Sequence, residues 1–298
     1  MLLTSLQTSP LSLFSSTSTN PFALFSVCTN SNLLPEDAGI VLLHDDTNEY
    51  SEITQAKSDQ FKLKGGNHHH HLHQEGEKIG ARLDDIVAHL QSPTIQSTFL
   101  QCPPIITNQF SSRNENGLGI RLPHIHFQVC LIGASFTRPF FVEIGVRDQR
   151  GTRAKIRCST FQRKAKVYLP QRLSSSKPID EDRNEEEEGK RALLHIPIVL
   201  PSNDENKATD WLTLSLPLNV LMSHFQDPSL LSQERSVDFV GGGQQFKQTR
   251  PIAQFDQVDY VRVHANCRLR RIWFTSHPQT EHSTHFSLPG LKAKSTQS

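Results

Sequence analysis

No stretch of this 298-residue sequence holds the roughly 20 consecutive apolar residues that a membrane-spanning helix needs. Cysteine is sparse. Cys28, Cys102, Cys130, Cys158 and Cys267 are far apart, odd in number and form no C-x-x-C pair. That argues against a disulfide framework or a zinc ribbon and fits reduced thiols in a cytosolic or nuclear compartment. The formal net charge is only +1, so no whole-molecule field attracts nucleic acid or membrane. There is no Gly-x-Ser-x-Gly, no H-E-x-x-H and no phosphate-binding glycine loop, since "VGGGQQ" lacks the following Lys-Ser/Thr. Lys and Arg are missing from the first 28 residues, where Pro10 and Pro21 interrupt the apolar run. A signal peptide wants a basic start and one compact apolar core, so this stretch reads as an edge segment of the folded domain.

Hydrophobic residues make up 36% of the chain, a shortfall that three polar stretches account for. They run over about 30–77, 174–190 and 226–251, and their compositions bury too little surface to offset ordering entropy. The expected organisation is one domain over 1–298 with three disordered insertions. "HHHHLH" at 68–73 lies in the first. Adjacent histidines beside Gly65 and Gly66 lack the fixed directions of a structural metal site and read as low complexity.

Between the insertions the chain alternates with a period of two. Ile125, Phe127, Val129 and Leu131 share one face of a strand, as do Phe140, Val142, Ile144 and Val146. Ala154, Ile156 and Cys158 alternate with Arg153, Lys155 and Arg157, and "RDQRG" before them reads as a hairpin turn. Ala192, Leu194, Ile196 and Ile198, then Leu212, Leu214 and Leu216, continue the pattern, and "STFLQCP" (97–103) leads it. The fold class is all-β, an antiparallel, jelly-roll-like β-sandwich with short helical segments. The helical signals are "IGARLDDIVAHL", with Ile79, Leu83, Ile86, Val87 and Leu90 near one face, and "LNVLMSHF".

Cations concentrate in two places. Arg147, Arg150, Arg153, Lys155, Arg157, Arg163, Lys164 and Lys166 lie in one hairpin and its continuation, and Arg262, Arg268, Arg270 and Arg271 lie in "VRVHANCRLRRIWF" (261–274). If those strands share a sheet, one face is strongly basic. The alternative is an ordinary solvated face compensated by Asp and Glu elsewhere. A basic face fits an acidic partner, either a nucleic acid or a protein such as tubulin. No aromatics interleave the hairpin as single-strand stacking requires. His264 and Cys267 have H-x-x-C spacing without a second ligand pair nearby, so no metal is assigned there. His124 and His126 share the face opposite the apolar one and are expected to look toward solvent or a loop. Leu269 and Ile272 are three apart. A strand cannot put both in the core without a bulge, which would turn Arg270 and Arg271 outward. Asn266 marks a turn or loop end.

"VRVHANCRLRRIWFTS", with His264, Ala265, Asn266, Cys267 and Arg268 at its centre, strongly resembles the signature strand of the cilia- and flagella-associated protein twenty family. "GLGIRLP" (117–123) resembles the family's Leu-Gly-Ile-Lys-Leu-Pro, and "STFLQCP" its Thr-Tyr-Ile-Thr-Cys-Pro. "DWLTLSLPL" is similar to its Gly-Trp-Asn-x-Ile-x-Phe-Asn-Leu, with Asp210 where the family has Gly. The segments follow the family's order. The resemblance implies a compact β-sandwich without catalytic activity or cofactor. It implies a structural axonemal protein at the inner junction of doublet microtubules, with tubulin and the Parkin co-regulated protein as partners. It also implies association with basal bodies and, for some members, nuclei. On this reading Arg268, Arg270, Arg271, Arg153, Lys155 and Arg157 are the partner contacts, while Trp211, Cys267 and Trp273 serve packing. The alternatives are a nuclear nucleic-acid or RNA-processing factor using the same basic face, and a ligand-binding sandwich.

Overall fold

A computed structural model describes residues 7–30, 32, 38–49, 51, 83–105, 117–132, 139–169, 191–198, 210–232 and 252–279. In chain order its strands are β1 (Leu11–Ser15), β2 (Ser26–Cys28), β3 (Gly39–His44), β4 (Ile86–Gln91), β5 (Phe99–Cys102), β6 (His124–Leu131) and β7 (Phe141–Asp148). They continue as β8 (Arg153–Ser159), β9 (Lys166–Tyr168), β10 (Ala192–Pro197), β11 (Leu212–Pro217), β12 (Phe255–His264) and β13 (Cys267–Thr275). Among the described residues one helix, α1 (Leu218–Ser223), follows β11 and runs into a 3₁₀ turn at His224–Gln226.

The strands form two sheets. The first has the order β11-β6-β13-β4-β3, with β1 also paired to β13; the second has the order β2-β5-β12-β7-β8-β10-β9. One core lies between them, and the inward residues read from the sequence fill it. Ile125, Phe127 and Val129 face Val142, Ile144, Ile156 and Leu194, all fully buried. Alternation places them there, because successive side chains of a strand point to opposite sides. Burying each large apolar side chain contributes about 1.5–3 kcal/mol. The β7–β8 turn forms as expected. Asp148 Oδ1 accepts from the amides of Arg150 (2.9 Å) and Thr152 (2.6 Å), and Gly151 takes φ +80°. Asp148 Oδ2 also accepts from Ala253 N–H, tying the turn to the approach to β12.

Several expectations are corrected. "DDIVAHL" is not helical. Residues 86–91 are strand β4, antiparallel to both β3 and β13, and β-branched Ile86 and Val87 suit a strand buried between neighbours. The stretch 30–77 is not all insertion, since it contains β3 and the turn at 45–49. The stretch 226–251 begins with ordered chain, a 3₁₀ turn at Pro228–Leu230 whose cap is Asp227. Residues 174–190 and the histidines at 68–73 lie outside the described residues. The sandwich is not purely antiparallel, because β10 runs parallel to β8.

The largest correction concerns residues 261–274. They are not a single strand, and Asn266, expected at a turn or loop end, sits at a corner. β12 ends at His264 in the second sheet, and β13 begins at Cys267 in the first. Ala265 and Asn266 alone carry the chain from one layer to the other, through a cis peptide. Their amides are satisfied across the gap, Ala265 N–H by Thr98 O (3.1 Å) and Asn266 N–H by Pro139 O (3.1 Å). The Asn266 side chain accepts from Ser92 N–H (2.8 Å) and donates to Pro139 O (3.2 Å). A buried corner must satisfy its polar backbone internally, and an amide side chain with both donor and acceptor does so.

Candidate partner-contact surfaces

The two groups of cations do not share a face. Arg153, Lys155 and Arg157 belong to β8 in the second sheet, whereas Arg268, Arg270 and Arg271 belong to β13 in the first.

Rows across the outer face of the second sheet mix cations with acid. Register places Gln101, Arg262, Glu143, Arg157, His195 and Lys166 side by side across six strands. Glu143 is 1% exposed. Its Oε2 receives Arg157 Nε (3.0 Å) and Nη2 (2.6 Å), and its Oε1 receives the Tyr260 hydroxyl (2.7 Å) with Arg262 Nη1 at 3.7 Å. Burial works to raise its pKa. The charges of Arg157 and Lys155 and the hydrogen bonds from Tyr260 and Arg157 outweigh burial and hold the carboxyl at about 2. Arg262 also lies over the rings of Tyr260 and Phe99, and Arg157 over Phe141. At the turn end of the hairpin, Asp259 takes Arg147 (2.8 Å) and Arg153 (3.2 Å). Lys155 is 8% exposed. The basic hairpin is thus partly compensated, and Lys155 is too buried to reach a partner.

The β13 arginines have three different fates. Arg268 spans the outer face to the turn after β3, where its guanidinium meets the Asp45 carboxylate, the Asp45 carbonyl (2.8 Å) and Asn48 Oδ1. Asp45 is 1% exposed, and Trp211 Nε1 (3.0 Å) and Leu83 N–H (2.7 Å) donate to its other oxygen. Arg268 is therefore a structural clamp and not a partner contact. Trp211 likewise does more than pack. Arg270 pairs with Asp85 at 2.8 Å. Arg271 is exposed. The expected bulge is present, as a register shift between Leu269 and Arg271 in the β13–β6 pairing. Of the two consecutive arginines it frees only the second. At the β8–β9 connection Arg163 and Lys164 are exposed as well.

His126 and His264 stay on the outer faces of their sheets but are covered there. His126 is fully buried and does not face solvent. Ser215 Oγ (2.9 Å) and Thr275 Oγ1 (2.8 Å) occupy its two nitrogens, and its ring stacks on Trp273 with centroids 5.1 Å apart. Burial, then the neighbouring His124, lowers its pKa to about 4. His264 stacks on Phe141 (3.7 Å) and contacts Phe99 (4.9 Å), while its Nδ1 reaches Ile95 O (2.8 Å). Burial lowers its pKa to about 3, against the Ile95 hydrogen bond. Cys267 is fully buried, and burial raises its thiol pKa well above 9. Its Sγ reaches the His264 carbonyl (4.0 Å) while the His264 ring is held between two phenylalanines, which is packing and not a ligand pair. Among the described residues no cluster of three or more His, Cys, Asp or Glu could hold a metal ion.

One pairing has a catalytic look. Ser159 Oγ lies 2.7 Å from His195 Nε2. Ser159 is 0% exposed, its oxygen also accepts from Gln162 N–H, and His195 is lowered to about 4 by burial and then Arg157. A nucleophile without access to substrate does no chemistry, so the pair reads as a satisfied core contact. Glu143, Asp45 and Asp259 were not singled out from the sequence, which left the compensating acids unassigned. The available signal was Glu143 itself, one acid between Val142 and Ile144 in an apolar strand with arginines on the paired strand.

Two comparisons bear on identity. No curated protein matches the chain. A family model, the CFA20 domain, matches residues 67–177, a span that includes β4 through β9 and ends before the sheet-crossing corner. It contains both "STFLQCP" and "GLGIRLP". The match agrees with the motifs inside it: over residues 67–177 this chain is similar to the CFA20 domain.

Proposed function

We propose that this chain is a non-catalytic structural protein of the ciliary or flagellar axoneme. In this reading it binds tubulin at the inner junction of doublet microtubules, beside a neighbour like the Parkin co-regulated protein, and supports cilium assembly and motility. The CFA20 domain match carries the reading, since it points to a cilia- and flagella-associated protein. The geometry is compatible. The Ser159–His195 pair is closed to solvent, and the signature residues 264–268 are used to join the two sheets and clamp a turn. The nucleic-acid alternative is weakened, because Glu143 and Asp259 engage Arg147, Arg153 and Arg157, which would otherwise track a phosphate backbone. The axoneme and basal body are the proposed locations. A tagged copy in ciliated cells, imaged before and after detergent extraction, tests this. Signal retained along the axoneme is expected; a soluble or nuclear signal contradicts it.

A further inference from the structure

The outer face of the first sheet differs in charge from that of the second. Across β11, β6, β13 and β1, register sets Thr213, Gln128, Arg271 and Ser15 in one row, and Ser215, His126, Trp273 and Ser12 in the next. Pro217, His124 and Thr275 make a third. None of these residues is a carboxylate. Arg271 makes no ion pair among the described residues, in contrast to Arg268, Arg270, Arg153 and Arg157.

Trp273 stands two residues along the same side of β13, about 7 Å away at strand rise. Its ring is braced from below. His126 stacks on it at 22° between planes, and His126 is itself fixed at both nitrogens by Ser215 and Thr275. The flanking residues Ser12, Ser15 and Thr213 are small, so the face is not walled in by large side chains. A free guanidinium beside a rigid indole matches the composition of interface anchors, and a ring already held in place loses little entropy on binding.

We propose that the Arg271–Trp273 face docks an acidic protein surface, with a carboxylate on Arg271 and an apolar side chain on Trp273. Charge complementarity selects the occupant, because these rows offer an uncompensated cation and no anion. The proposal rests on the axonemal reading for the partner's identity, and not for its chemistry.

The purified full chain is assayed against two probes, stabilised microtubules and a polyglutamate peptide. Arg271→Glu lies on the surface and leaves the core intact; Arg150→Glu, at the exposed hairpin turn of the other sheet, carries the same charge change. The expected result is at least a tenfold loss of binding for Arg271→Glu and less than a twofold change for Arg150→Glu. Equal loss in both variants, no loss in Arg271→Glu, or binding to neither probe overturns the proposal. Arg271-dependent binding to single-stranded RNA but not to polyglutamate also overturns it. Arg271-dependent binding to polyglutamate without microtubule binding upholds the docking face and contradicts the tubulin reading. Microtubule binding indifferent to Arg271→Glu does the reverse.

Discussion

Tyr260 lies across Gly145 on the outer face of the second sheet, and from there its hydroxyl reaches Glu143 Oε1 at 2.7 Å. The two residues are paired across β12 and β7, and a Cβ on Gly145 would run into the Tyr260 ring. The absent side chain is what lets the ring lie flat. Gly145→Ala should push Tyr260 off Glu143 and destabilise the fold by about 1–3 kcal/mol, as overpacking does. Tyr260→Phe should cost about 1.5–3 kcal/mol, the worth of a hydrogen bond to a charged group. Urea unfolding measures both; a Gly145→Ala variant as stable as the parent contradicts the arrangement.

Arg268 and Asp45 form the clamp on the other sheet. Asp45 is buried, so removing its cation leaves a carboxylate with only the Trp211 and Leu83 donors. Arg268→Ala should destabilise by about 3–5 kcal/mol, the usual cost of breaking a buried pair. Arg268→Lys should rescue little, because a point charge cannot span Asp45 and Asn48 as the planar fork does. Thermal unfolding checks the pair, and parent-like stability in Arg268→Lys would contradict the forked geometry.

Acid should weaken the fold in two stages. His126 and His195 are lowered by burial from 6.5 to about 4, and His264 to about 3. Each is neutral when folded, so below pH 6.5 the unfolded chain binds more protons than the native one. Their contribution is complete above pH 6.5 and is lost as the pH falls toward 4 and then 3. The slope is about 1.4 kcal/mol per pH unit for each histidine. Glu143, held near 2 against an ordinary 4.5, keeps its contribution above pH 4.5 and loses it toward pH 2. Urea midpoints between pH 7 and 4.5 should fall steadily, and less steeply in His264→Gln. A flat profile over that range contradicts the buried neutral imidazoles.

Asn266 holds the corner between the sheets through Ser92 N–H and Pro139 O. Asn266→Ala leaves the buried Ser92 amide without that acceptor and should cost about 1–3 kcal/mol. Asn266→Asp keeps the acceptor but sets a buried carboxylate against the Pro139 carbonyl, and should cost at least as much as Asn266→Ala. Hydrogen exchange at Ser92 reads the effect directly: faster exchange in Asn266→Ala is expected, and an unchanged rate contradicts the corner's role.

The strands with clean alternation were legible. Residues 124–131, 141–148, 153–159, 192–197 and 212–217 pointed one apolar face inward, and the three-residue gap between Leu269 and Ile272 announced the bulge. The rest was hidden for physical reasons. Leu83, Ile86, Val87 and Leu90 fit a helical spacing, and only pairing with β3 and β13 makes the segment a strand. The apolar pattern Val261, Val263, Ala265, Cys267 and Leu269 keeps its period straight through the corner. Asn266 marked a turn or loop end, but nothing local revealed that the turn carries the chain into the other sheet. Charge partners could not be read at all. Arg268 and Asp45 are 223 residues apart, and only the fold distinguishes a clamped arginine from a free one such as Arg271.

Residence in the doublet microtubule is the central claim, and cryo-electron tomography of axonemes tests it most directly. Averaged doublets from cells with and without this chain are compared at the inner junction. The account predicts sandwich-shaped density against tubulin in the first and its loss in the second. An inner junction unchanged by removal of the chain, with the tagged protein in the detergent-soluble fraction, would contradict it.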